Sequence, residues 1–234
     1  MSNLATKRIL SDLKIVKTNC LDKHNIFVST NDEDVYNVKA MIIGPDDTPY
    51  EGGFYFLDIV FPKNYPLDPP KATFMTLNQE VRFNPNLYKN GKVCVSILNT
   101  WSGPGWTTAC TLSGVLLSIQ SLLNERPIQN EPGWEKEKGD KCKTYNDMIE
   151  YYNLKVALIQ MIRNTPKGFD EFRDIMLKHY VTNYDKYQKF LQKRTHLDGE
   201  IRNLRLYSMS TKLNYSKLVD EMTILYSEFE QLYK

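Results

Sequence analysis

Gly44-Pro45-Asp46-Asp47-Thr48-Pro49-Tyr50-Glu51-Gly52-Gly53 stands between two segments that alternate with a period of two. Before it, Tyr36, Val38, Ala40 and Ile42 share one face; after it, Tyr55, Leu57, Ile59 and Phe61 do the same. The prolines, aspartates and paired glycines between them are turn chemistry. So short a connection predicts two strands paired antiparallel.

Working outward toward the N-terminus, Ile26-Phe27-Val28 reads as an earlier strand. Ile9, Leu10, Leu13 and Val16 recur at helical spacing, with Lys7, Arg8, Asp12, Lys14 and Lys17 on the other face. Toward the C-terminus, a bend at Pro62, Pro66, Pro69 and Pro70 leads into a fourth strand, Lys71 to Thr76. From Gln79 to Ala109 no period appears, and an irregular stretch of about 30 residues inside a domain is usually functional. Leu112, Val115, Leu116, Ile119, Leu122 and Leu123 then mark an apolar helix expected to lie against the sheet. Further helical spacing follows at Ile149, Tyr152, Val156 and Ile159, at Phe172 to Tyr180, and at Leu218 to Leu232. The order predicts an α+β fold: N-terminal helix, four-stranded antiparallel sheet, long loop, central helix and a C-terminal helical extension. The reading divides it into a core over residues 1–165 and a helical extension over 166–234 packed on that core.

Of the 234 residues, 41% are hydrophobic, enough for a sizeable core. With 30 basic against 28 acidic side chains and no polybasic block, a nucleic-acid partner has no electrostatic support. Cys20, Cys94, Cys110 and Cys142 form no CxxC pair, so neither a metal site nor a disulfide framework is expected. No run approaches the roughly 18 apolar residues of a membrane span, and Met1 to Leu10 lacks a signal-peptide core. The expectation is a soluble, reduced protein of the cytoplasm or nucleus.

Cys94 lies inside the long irregular stretch, in Asn84-Pro85-Asn86-Leu87-Tyr88-Lys89-Asn90-Gly91-Lys92-Val93-Cys94. A lone cysteine is most often a small hydrophobe. The loop setting predicts instead a thiol exposed enough to react. His24, His179 and His196 are all remote in sequence, which opposes a cysteine protease, whose thiol needs a base.

Several of these motifs, in this order and at about this spacing, resemble the ubiquitin-conjugating (E2) family. They are Gly44 to Gly53; Phe61-Pro62 with Tyr65-Pro66 and Pro69-Pro70-Lys71; Asn84-Pro85-Asn86 with Cys94 after it; Trp101-Ser102; and the Leu112–Leu123 helix. The resemblance covers roughly residues 5–165. Asn99-Thr100-Trp101-Ser102-Gly103-Pro104-Gly105-Trp106 and Asn130-Glu131-Pro132-Gly133 look like the E2 Z branch, which carries a C-terminal extension.

The resemblance implies that Cys94 takes the C-terminal carboxyl of ubiquitin, or of a ubiquitin-like modifier, from an activating enzyme as a thioester. A substrate lysine or a ligase cysteine then receives it. Asn86 matches the family's asparagine, either an oxyanion donor worth roughly 3 kcal/mol or a staple of the loop backbone. The family motif usually begins with His where this chain has Asn84; Asn84 and Pro85 are expected to hold the turn. Glu131, with Asn130 as its rival, matches the gate that relieves an incoming amine of its proton; an ordinary solvated loop residue is the alternative. Lys7 and Arg8 match the face that meets the activating enzyme, and Leu67 and Pro104 match anchors for a ligase. No cofactor is implied, because ATP is used upstream by the activating enzyme. The alternative is a non-catalytic ubiquitin-binding adaptor or scaffold of the same fold.

In the extension, Tyr180, Tyr184, Tyr187 and Phe190 form a stripe expected to pack helix on helix. The extension is expected to select an activating enzyme or a substrate, and removing residues 166–234 to leave the fold intact.

Overall fold

The computed structural model describes residues 2–31 and 33–233. Helix α1 (Ser2–Thr18) leads into four strands, β1 (Ile26–Asn31), β2 (Asp34–Ile43), β3 (Phe54–Val60) and β4 (Lys71–Phe74). They form one antiparallel sheet in sequence order, with Ala40 opposite Leu57 and Met41 opposite Phe56. The β2–β3 turn closes as its sequence predicts: Gly44 N donates to Gly53 O at 2.8 Å and Gly52 N to Gly44 O at 3.0 Å. A Cβ on Gly44 would stand 1.8 Å from the Tyr50 carbonyl oxygen, so only glycine fits.

Period-two alternation sends Ala40, Ile42, Tyr55 and Leu57 to one face of the sheet and Met41, Ile43, Phe54 and Phe56 to the other. Both sets are buried. Tyr55 packs against Tyr50, Phe74 and Phe83 on the first face. On the second, Phe169 and Phe172 lie 5.0 and 6.3 Å from Phe56 between ring centres, and His179 meets Phe54 edge-on at 5.9 Å. Helix α2 (Leu112–Gln120) is capped by the Thr111 side chain, which accepts from Gly114 N at 3.2 Å. Its Leu112, Val115, Leu116 and Ile119 are buried.

Helix α3 (Asp140–Tyr152) runs on through a π-helical stretch, Asn153–Gln160, to the short α4 (Met161–Arg163). Asn153 is buried in that stretch and bonded at both side-chain polar atoms: its Oδ1 accepts from the Tyr55 hydroxyl at 2.6 Å and its Nδ2 donates to Glu51 O at 2.8 Å. Helices α5 (Arg173–Gln192) and α6 (Tyr215–Phe229) pack together along the aromatic stripe. The Tyr180 hydroxyl donates to Met222 O at 2.6 Å, and Tyr184 stacks on Tyr226 at 3.8 Å between ring centres.

The expectation for residues 166–234 needs one correction. The extension is not wholly helical, because β5 (Ile201–Leu204) and β6 (Met209–Lys212) form a separate antiparallel hairpin between α5 and α6. Its strands are only four residues long, and its turn contains no glycine, proline or asparagine to announce it. Tyr207 and Ser208 adopt the left-handed conformation themselves, at φ 66° and 49°. The extension also contributes to the core, since Phe169 and Phe172 belong to the buried cluster against the second sheet face. Among the described residues no helix is long and apolar enough to cross a membrane.

Candidate active site

The irregular stretch after β4 is organised by buried polar side chains rather than by regular structure. Isolated bridges pair Thr73 with Lys92 and Leu87 with Val93. Beneath them the Tyr50 hydroxyl donates to Phe83 O at 2.6 Å and accepts from Asn84 Nδ2 at 3.1 Å. Burial pushes the Tyr50 phenol far above its ordinary range, so it remains a donor at any working pH. Asn84 also donates to Leu122 O at 2.8 Å, while its Oδ1 accepts from Asn86 N at 2.9 Å. This is an Asx turn, as the asparagine at the head of the motif predicts.

Two hydrogen bonds join Asn86 to Cys94. Asn86 Nδ2 donates to Cys94 O at 2.6 Å, and Cys94 N donates to Asn86 O at 2.9 Å. Asn86 is thus a backbone staple here, and its Oδ1 is buried without a hydrogen-bond partner. The expectation of an exposed thiol needs correction: Cys94 is 1% exposed. The turn that brings residue 94 against residue 86 also draws it into the buried row Leu87, Val93, Val95. A groove of about 410 Å³ opens beside it, lined by Lys71, Thr73, Lys92, Val93 and Thr100.

The structure separates the two gate candidates. Asn130 Nδ2 reaches Leu122 O at 3.2 Å and Asn84 Oδ1 at 3.5 Å, and its Oδ1 accepts from Asn124 at 3.4 Å. Its amide is a loop staple, which corrects its place as a proton acceptor. Glu131, half-buried, presents its carboxylate to the hydroxyl of Tyr207 in the C-terminal hairpin.

The surface residues divide in the same way. Lys7 is exposed, but Arg8 turns inward, which corrects its expected place on a partner-binding face. Its guanidinium binds Asp12 at 3.0 Å, Thr108 O at 2.8 Å and Cys110 O at 2.6 Å. The attraction is Asp12, which is fully buried and also meets the Tyr65 hydroxyl and, at 3.2 Å, Leu112 N. Leu67 is 71% exposed, and Pro104 is exposed on the next loop. Trp106 Nε1 donates to Pro66 O at 2.8 Å and ties these two loops into one surface.

Sequence reasoning missed Arg82, Tyr88 and Tyr207. The Arg82 guanidinium lies 3.7 Å from the Tyr88 ring centre and 4.3 Å from that of Tyr207, and donates to Pro85 O. No local pattern marks this cluster, because its third member is 125 positions away in the chain, the difference between 207 and 82.

A family model described as ubiquitin-conjugating enzyme matches residues 8–159. The chain is 46% identical over 178 residues to ubiquitin-conjugating enzyme E2 Z of Xenopus tropicalis, covering 75% of this chain and 56% of that protein. It is 44% identical to the Homo sapiens E2 Z over 178 residues, 75% of this chain and 50% of the relative. With a probable ubiquitin-conjugating enzyme protein 17 of Caenorhabditis elegans it shares 40% identity over 187 residues, 74% of this chain and 25% of that one. The chain thus spans about half the length of the E2 Z relatives. The match covers the sheet, the loop that carries Cys94 and the central helix, and on these grounds the chain belongs to the ubiquitin-conjugating enzyme family.

Proposed function

We propose that this chain carries ubiquitin, or a ubiquitin-like modifier, as a thioester on Cys94. The observation that carries the reading is the double tie between Asn86 and Cys94, which sets one cysteine at a fixed place in the irregular loop. The Cys94 thiol loses its proton and its sulfur attacks the modifier's thioester carbonyl on an activating enzyme. A new C–S bond forms, and the activating enzyme's thiolate leaves. A lysine amine or a ligase thiol later attacks the same carbonyl, and Cys94 leaves as thiolate.

Because the thiol is 1% exposed, loading requires the loop to open. The Asn86 amide then has a second use. Exchanging its bond to the Cys94 carbonyl for one to the tetrahedral oxyanion supplies a donor worth about 3 kcal/mol. Lys7 presents a cation to the activating enzyme, and the tied loops of Leu67 and Pro104 present an apolar surface to a ligase. The protein works where thiols stay reduced, in the cytoplasm or nucleus; its four cysteines are all free.

The test mixes the protein with activating enzyme, ATP and ubiquitin, followed by a gel run without reductant. A one-modifier shift that thiol reductant removes and Cys94→Ala abolishes is the expected result. No shift with any activating enzyme would make the sealed thiol structural and the protein an adaptor. A shift that survives Cys94→Ala would move the site to another cysteine.

A further inference from the structure

The hairpin that the sequence hides is docked at both ends. At its base, Arg202 Nε binds Asp147 at 3.1 Å on α3, and the Thr211 hydroxyl donates to that of Tyr152 at 3.1 Å. Leu204 and Met209 are buried. At its tip, Tyr207 holds φ 66°, ψ 9°, a conformation that costs energy for any residue but glycine. Such conformations persist where the surroundings impose them, and they cluster at functional sites. The surroundings here are the Arg82 guanidinium under the Tyr207 ring and the Glu131 carboxylate on its hydroxyl. Arg82 and Glu131 form no ion pair with each other; Tyr207 engages both, its ring on the cation and its hydroxyl on the anion. Arg82 in turn holds Pro85 O, one residue before Asn86. Burial first and Glu131 second keep the Tyr207 proton on well above the ordinary phenol range, so it stays a donor to the carboxylate.

We propose that Tyr207 is a positioning residue for the acceptor step, fixing the Glu131 carboxylate beside the loop that carries Cys94 so that it meets an incoming lysine. This rests on the reading of Cys94 as the thioester residue. In that step the lysine nitrogen attacks the thioester carbon and the C–S bond breaks. Cys94 takes the electron pair as thiolate, and the extra proton on nitrogen passes to Glu131 and then to water. A carboxylate without its tyrosine partner rotates freely and meets the amine less often. The acceptor step then depends on a residue outside the 8–159 family domain.

The experiment charges the full chain with labelled ubiquitin, exhausts the ATP, and follows loss of the thioester in excess free lysine or excess hydroxylamine. Hydroxylamine is largely unprotonated at neutral pH, and its adduct is acidic enough to lose its extra proton to water without a positioned base. Tyr207→Phe keeps the ring on Arg82 and removes only the hydroxyl. It is expected to slow discharge to lysine about tenfold, with loading and hydroxylamine discharge unchanged. Glu131→Gln removes the proton acceptor itself and is expected to slow lysine discharge by about a hundredfold or more, and the double variant to be no slower than Glu131→Gln alone. Equal slowing toward both nucleophiles, a normal lysine rate for Tyr207→Phe, or effects that multiply in the double variant would each overturn the proposal. A wild-type chain that forms no thioester at Cys94 would remove the underlying reading as well. A chain that charges normally while Tyr207→Phe behaves as wild type removes the Tyr207 proposal alone.

Discussion

Asn86 and Cys94 hold each other twice, the side-chain amide of one on the carbonyl of the other and the backbone amide of the second on the carbonyl of the first. Replacing Asn86 by Ala leaves a buried carbonyl without its donor. The expected loss of stability is about 1–3 kcal/mol, read by urea denaturation. Charging of Cys94 is expected to survive while discharge to lysine slows. Equal loss of both would make Asn86 a purely structural residue.

The closed loop sets an order of thiol reactivity. Cys20 and Cys110 are half-buried, whereas Cys94 and Cys142 are buried, and burial also raises the Cys142 thiol above its ordinary pKa. Native alkylation followed by peptide mass spectrometry is expected to label Cys20 and Cys110 first. Cys94 reacting ahead of both would show that the loop stands open in solution.

Lys7 and Arg8 are adjacent in sequence but do different work. Arg8→Ala leaves the buried Asp12 without its cation and is expected to cost about 3 kcal/mol. Lys7→Ala is expected to change stability by less than about 0.5 kcal/mol while slowing transfer from the activating enzyme. Thermal unfolding and initial charging rates separate the two effects.

Phe169→Ala removes a ring that covers the second sheet face at Phe56. The expected cost is about 3–5 kcal/mol, seen as a lower unfolding midpoint in denaturant. A cost near zero would mean that the extension only rests on the sheet.

His179 sits on Phe54 and shares a 3.0 Å hydrogen bond with the Tyr187 hydroxyl. Burial lowers its pKa below the ordinary histidine value, with Lys186 acting the same way and Asp46 and Glu51 opposing. The folded state therefore binds fewer protons than the unfolded chain below about pH 6.5. Its contribution to stability is present above that pH and is lost as pH falls. His179→Gln is expected to flatten the decline in unfolding free energy as pH falls below about 6.5; an unchanged slope would assign the decline to other groups.

Much of this molecule is legible in its sequence. Period-two alternation around Gly44–Gly53 places β2 and β3, the proline-rich bend places β4, and the apolar spacing from Leu112 places α2. Asn84 as an Asx-turn residue follows from its type. What is not legible depends on contacts between distant segments. Arg8 looks like a surface cation until a buried Asp12 one turn away and two carbonyls beyond residue 100 claim it. Cys94 lies in an irregular stretch, but irregular backbone can still be packed when asparagine side chains satisfy it. The β5–β6 hairpin is hidden because its turn residues carry the left-handed conformation without being turn formers.

Gly53 and Asn153 are a hundred positions apart, yet a Cβ at Gly53 would stand 1.9 Å from the Asn153 side-chain oxygen. A side chain gained at 53 therefore displaces the Asn153 amide from its place. That displacement strips the Tyr55 hydroxyl and the Glu51 carbonyl of their partner. The tight turn and the distorted helix opposite it are thus coupled through one amide, so a change in either is felt in the other.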